Sequence, residues 1–112
     1  MSAFHSIYSH GLIRACVGAP AVRVADPAFN LARSLEMARA AHEKSAAVVV
    51  LPELGLSAYA IDDLLHQNAL LDAVESCIGR FVAATGDLLP VVVAGAPLRW
   101  RGRLYNCALV IH

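Results

Sequence analysis

Along the chain, continuous aliphatic runs alternate with stretches whose apolar residues recur every three or four positions. The first run, "LIRACVGAP" at 12–20, is short, largely apolar and closed by Gly and Pro, which predicts a strand. Asp26 and Pro27 then form a helix start: an aspartate suited to cap orphan N–H groups, followed by a proline preset for the first helical position. Leu31, Leu35, Ala38 and Ala41 or His42 follow at helical spacing, with Arg33, Glu36, Arg39 and Glu43 on other faces. A helix packed on one side is therefore expected as far as about Lys44. "AAVVVL" at 46–51 is continuous rather than alternating, the pattern of a strand covered on both faces in a parallel sheet. A second helix is predicted over 68–85 on Leu70, Leu71, Val74, Ile78, Phe81 and Val82, with Gly86 as its stop. "LPVVVAGAP" at 89–97 repeats the aliphatic run, and "LRWRGRLYNCALVIH" at 98–112 reads as a hairpin turning near Arg101-Gly102, with its second arm over 104–112.

Strand, helix, strand, helix, strand and hairpin make an α/β protein: a largely parallel sheet with crossover helices and a terminal hairpin. No low-complexity linker divides the chain, and 112 residues hold one domain at most. Composition sharpens the picture, because 58% of the residues are hydrophobic and only 16% charged. A domain this small has much surface to cover, so part of its apolar area is expected to meet a partner subunit or further chain. The last arm runs to His112 without a turn, cap or polar tail, which reads as a fragment of a longer protein.

Nine Lys plus Arg balance nine Asp plus Glu, so no net charge draws the chain toward nucleic acid or an anionic membrane. Arg99, Arg101 and Arg103 cluster, but around the predicted turn, where a solvated hairpin tip accounts for them. Cys16, Cys77 and Cys107 are odd in number, widely spaced and set among apolar neighbours, as expected for reduced, buried thiols in a cytoplasmic protein. The five histidines share no metal-ligand spacing with them, so no zinc or other metal site is expected. The opening "MSAFHSIYSHGLIRACVG" lacks the basic and long apolar segments of a leader, and no later run reaches the ~20 apolar residues of a membrane span.

One charge sits oddly. Glu53 follows the aliphatic run by two residues, after Pro52, which lacks an N–H and helps end the ladder there. In open α/β sheets the working site lies beyond the carboxyl ends of the strands, where Glu53 falls. Gly55 is expected to let the backbone bend across that edge. A partly desolvated carboxylate titrates closer to neutrality and so suits a general base. The other reading is a solvated strand-end residue or an arginine partner, and spacing alone leaves both open.

The wider pattern favours the first reading. "VVVLPELGLSAYAIDDLL" resembles the first signature of the nitrilase, or carbon-nitrogen hydrolase, superfamily, in which an aliphatic strand ends in a Pro-Glu pair bearing the catalytic glutamate. "YAIDDLLHQNALL", "YSHGLIRACVGAP" and "GRLYNCALVIH" are similar more particularly to the amino-terminal glutaminase domains of glutamine-dependent NAD+ synthetases. The resemblance implies that residues 1–112 are the amino-terminal portion of such a domain, part of an α-β-β-α sandwich with a Glu-Lys-Cys triad. It also implies glutamine hydrolysis, with a thiolate attacking the side-chain amide and the glutamate shuttling protons. The ammonia would serve ATP-dependent amidation of deamido-NAD+ by a further domain that uses ATP and Mg2+, with no cofactor in this one. The implied partners are L-glutamine, the remainder of the polypeptide and further copies in a homo-oligomer.

Residue by residue, the resemblance assigns only Glu53, as proton acceptor. The single lysine, Lys44, precedes the glutamate where the family's lysine follows it, and no cysteine here is followed by the acidic residues that mark the nucleophile. The catalytic Lys and nucleophilic Cys are thus absent from this chain, as is the Ser-Gly-Gly loop of a synthetase domain, and these residues alone are expected to be inactive. Tyr59, six residues after Glu53, is a candidate to line the substrate pocket or to pack as an aromatic lid. Asp62 and Asp63 suit the start of a short helical turn better than a metal pair. Asn106 either orients backbone near the site or satisfies a turn. The alternatives to a glutaminase domain are a stand-alone amidase or ureidopropionase-like hydrolase, and a non-catalytic α/β module that binds a partner through its apolar face.

Overall fold

The computed structural model describes residues 3–112. Four strands, β1 (Ala15–Val17), β2 (Val48–Val50), β3 (Val91–Trp100) and β4 (Arg103–Ile111), lie in one sheet in that order. β1, β2 and β3 are parallel, and β4 runs antiparallel to β3. Helices α1 (Pro27–Glu43) and α2 (Asn68–Thr85) are the two crossovers.

The local chemistry sets these bounds. An Asp26 side-chain oxygen accepts from the Phe29 N–H at 3.1 Å with Pro27 in the first turn, a cap worth about 1 kcal/mol. At the other end Ser45 takes a left-handed φ of 55°, and the N–H groups of Ser45 and Ala46 return to the carbonyls of His42 and Ala41, turning the chain into β2. β1 is shorter than the apolar run at 12–20, because Leu12 still bonds back to Ile7 in the preceding turn and the pairing ends at Gly18. Arg101 and Gly102, with φ of 49° and 75°, make the two-residue turn between β3 and β4.

Both helices lie on one side of the sheet, since two crossovers of the same hand stepping in the same direction deliver their helices to the same face. Under them Val49, Val92, Ala94 and Ala96 are buried against Leu31, Ala38, Val74 and Phe81. The opposite face stays open: Val17 is 87% exposed, Val110 72% and Val50 39%. Within these residues the 46–51 strand, expected to be covered on both faces, is packed on one. An aliphatic run looks the same in sequence whichever of its faces is packed by residues elsewhere.

Two further expectations are corrected. Val82 lies on the outward side of α2, where Cys77 and Thr85 take buried positions instead. Arg99 does not belong to a solvated tip: its guanidinium donates to Asn68 Oδ1 at 2.9 Å and pairs with Asp72 and Glu75, all on α2. The hydrogen bond to Asp72, above all, raises its pKa further. This tethers the far end of the hairpin to the helix layer. No helix among the described residues is long and apolar enough to cross a membrane.

Candidate active site

The peptide that carries Glu53 leaves β2 and crosses directly over β3. Leu51 still donates to the Val93 carbonyl at 2.9 Å, the ladder stops at Pro52, and the Pro52 carbonyl accepts from the Gly55 N–H at 3.1 Å. Leu54, with φ of 52°, makes the bend, and Leu56 N–H bonds to the Gly95 carbonyl at 3.1 Å on the far side. A left-handed leucine is sparsely populated backbone held in place by its surroundings. Gly55 was expected to make this bend, but its φ is not in the left-handed region; Leu54 takes that conformation.

The glycine this crossing requires is Gly95. A Cβ built there would lie 2.4 Å from Leu54 N, 2.6 Å from Pro52 O and 2.9 Å from Glu53 C, all backbone atoms. The Glu53 peptide thus rests on β3 where β3 has no side chain. Sequence reasoning missed this contact, and its one signal was a glycine interrupting a strand of valines and alanines.

The loop behind Glu53 is fixed from below by a buried amide. Asn30 on α1 is fully buried and donates to the carbonyls of Leu56 at 3.0 Å and Arg23 at 2.9 Å, while accepting from the Arg23 N–H at 2.8 Å. Ser57, also fully buried, has its single hydroxyl proton shared between the carbonyls of Leu54 and Ala58, at 3.2 and 3.0 Å, and its own carbonyl accepts from Ala25 N–H at 3.0 Å. Leaving any one of these buried groups unpaired costs roughly 1–3 kcal/mol, so the loop is held as one unit with the start of α1.

Glu53 itself is exposed. The sheet alternation puts Val50, Val93, Gly95, Ala108 and Asn106 on the face without helices, and together with Glu53 they line a concavity of about 320 Å³. These residues do not supply the desolvation expected for a general base. The Glu53 carboxylate accepts a hydrogen bond on Oε1 from Asn106 Nδ2 of β4. Asn106 occupies the middle of a strand, opposite Pro97, so its amide satisfies no turn and reaches the carboxylate rather than backbone.

Other candidates lie apart from this concavity. Tyr59 is 67% exposed and neither lines it nor packs as a lid. Asp62 and Asp63 begin a 3-10 helix, Asp62–His66, as expected from their charge. Lys44 caps α1 and precedes β2, at the opposite end of that strand from Glu53. All three cysteines are free thiols; Cys77 is buried, and burial pushes its pKa up, whereas Cys16 and Cys107 are only half-buried. No group of three or more His, Cys, Asp or Glu among the described residues is arranged to hold a metal ion.

The arrangement is that of a carbon-nitrogen hydrolase, and the chain belongs to that family: the family's model matches residues 13–112. The sheet and its single helix layer are part of the nitrilase-type α/β fold. More particularly, the chain is 51% identical over 109 residues to a glutamine-dependent NAD(+) synthetase of Mycobacterium tuberculosis and 47% identical to that of Mycobacterium leprae, in each case over 97% of this chain. It superposes on the crystal structure of a glutamine-dependent NAD(+) synthetase from Cytophaga hutchinsonii with a TM-score of 0.73 and 25% identity, over 85% of this chain. The chain spans 16% of the length of each of these three proteins.

Proposed function

We propose that these residues form the glutamate-bearing start of a glutaminase domain, which releases ammonia from L-glutamine for a glutamine-dependent NAD+ synthetase. The observation that carries the reading is the placement of Glu53. Its carboxylate stands past the end of a parallel strand, on a crossing that Gly95, Asn30 and Ser57 hold in one position. In the reaction, Glu53 takes the proton of a cysteine thiol, and the thiolate adds to the side-chain amide carbon of glutamine. A lysine stabilises the oxyanion. The tetrahedral intermediate collapses, the protonated glutamate returns its proton to the leaving nitrogen, and ammonia departs. Water, deprotonated by the same carboxylate, then cleaves the thioester to glutamate and free thiol.

The lysine and the nucleophile would come from chain beyond residue 112, since Lys44 lies at the wrong end of β2 and none of the three cysteines has an acidic residue after it. The open face bearing Val17, Val50 and Val110 supports the same reading, because a second sheet layer would cover it and enclose Glu53. Amidation of deamido-NAD+ with ATP and Mg2+ would belong to a further domain. The residues present here do not fit that pair: the chain has no Ser-Gly-Gly loop, and no acidic cluster is arranged for a cation among the described residues. The same reading makes the protein a cytoplasmic enzyme that assembles into a homo-oligomer, without nucleic-acid or membrane partners.

Translating the reading frame past the codon for His112 tests the proposal. A lysine soon after it and then a cysteine followed by acidic residues are expected. A frame that closes or continues without them would reduce Glu53 to a strand-end residue.

A further inference from the structure

Glu53 has three rotatable side-chain bonds and stands exposed, so nothing in its own loop selects one rotamer of the carboxylate. Its side-chain hydrogen-bond partner comes from a different element. Asn106 sits in the β3–β4 ladder opposite Pro97, which is itself fully buried, so the amide projects from a rigid support onto the open face. There its Nδ2 donates to Oε1 of Glu53. Resting on the proposed glutaminase reading, we propose that Asn106 is a positioning residue: it holds Oε1 so that Oε2 remains the free oxygen aimed at the proton to be moved.

The choice of an amide is chemically apt. A lysine or arginine in that place would orient the carboxylate equally well, but its positive charge would strongly favour the ionised form and weaken the base. A neutral N–H donor fixes direction with a smaller effect on basicity. The contact links residues 53 and 106 across the concavity, so two strands that meet only through β3 share the task of aiming the proton acceptor.

The test uses the polypeptide encoded by the whole reading frame, with steady-state glutamine hydrolysis and thermal melting measured for Asn106→Asp, Asn106→Leu and Asn106→Gln. Asn106→Leu removes the donor without adding charge, Asn106→Asp removes it and sets a second carboxylate against Glu53, and Asn106→Gln keeps the donor and changes the shape. Removing the donor is expected to lower kcat about tenfold or more, a part of what a general base contributes, with KM within about twofold. Asn106→Gln should retain more activity than Asn106→Leu, and all three should melt close to the parent. A role in packing alone would give the reverse order, with the similarly sized Asn106→Leu tolerated and the longer Asn106→Gln not. Wild-type kcat in Asn106→Leu, or Asn106→Gln falling as far as Asn106→Leu, would overturn the inference. A Glu53→Gln control separates the two levels. If it is inactive while Asn106→Leu is active, only the positioning role fails; if it is active, the glutaminase reading fails and the positioning role with it.

Discussion

Glu53→Gln in the polypeptide encoded by the whole reading frame is expected to lower glutamine turnover by about 10²–10⁴-fold, the range a positioned general base supplies. The substitution keeps the volume and the acceptor oxygen facing Asn106, and removes only the capacity to take and return a proton. Because the exchange is isosteric and leaves the hydrogen bond from Asn106 in place, stability should change by no more than about 1 kcal/mol. Ammonia release and chemical denaturation, measured on the same preparation, check both halves. Turnover that survives the substitution would mean that the carboxylate is only a strand-end charge.

Gly95→Ala should have the second largest effect, and it reaches Glu53 through the backbone. The added methyl would meet Leu54 N at 2.4 Å and Pro52 O at 2.6 Å, closer than real Cβ contacts come, and neither atom is the end of a flexible side chain. The crossing must lift off β3. Overpacking of this kind costs roughly 1–3 kcal/mol, and the backbone partners place this case at the upper end. Lifting the crossing also moves the Glu53 carboxylate away from Asn106, so turnover should fall with stability. Gly79→Ala is the matched control. It makes the same chemical change inside α2, where nothing lies within 4 Å, and is expected to stabilise by about 0.5–1 kcal/mol. Urea unfolding midpoints that move in opposite directions for the two variants would support this account; equal shifts would contradict it.

These two residues mark how far the sequence can be read. Glu53 was legible because an aliphatic run, a proline and a glutamate follow one another directly, and the neighbouring segments resemble one superfamily. α2 was legible for a similar reason: its apolar spacing and Gly86 are local, and the helix ends at Thr85 as expected. Gly95 was visible only as an unexplained glycine, because the crossing above it brings together residues some 40 positions apart. Asn106 was ambiguous for the same reason. Its meaning depends on register, which sets it opposite Pro97 and beside a carboxylate 53 residues earlier. The Arg99 ion pairs with Asp72 and Glu75 also join distant positions, so local charge clustering suggested a hairpin tip instead. Periodicity reports that both faces of β2 are apolar; within these residues one face is packed and the other open, because what covers an apolar face can lie anywhere in a polypeptide.

The central claim is that this chain contributes the proton acceptor of a glutamine hydrolase and not the nucleophile. Ammonia release from glutamine, measured for the 112-residue chain and for the polypeptide encoded by the whole reading frame, tests it most directly. The account predicts no turnover from the 112 residues alone and Glu53-dependent turnover from the whole polypeptide. Turnover by the 112 residues that disappears in Glu53→Gln, or turnover by the whole polypeptide that is indifferent to that substitution, would contradict it.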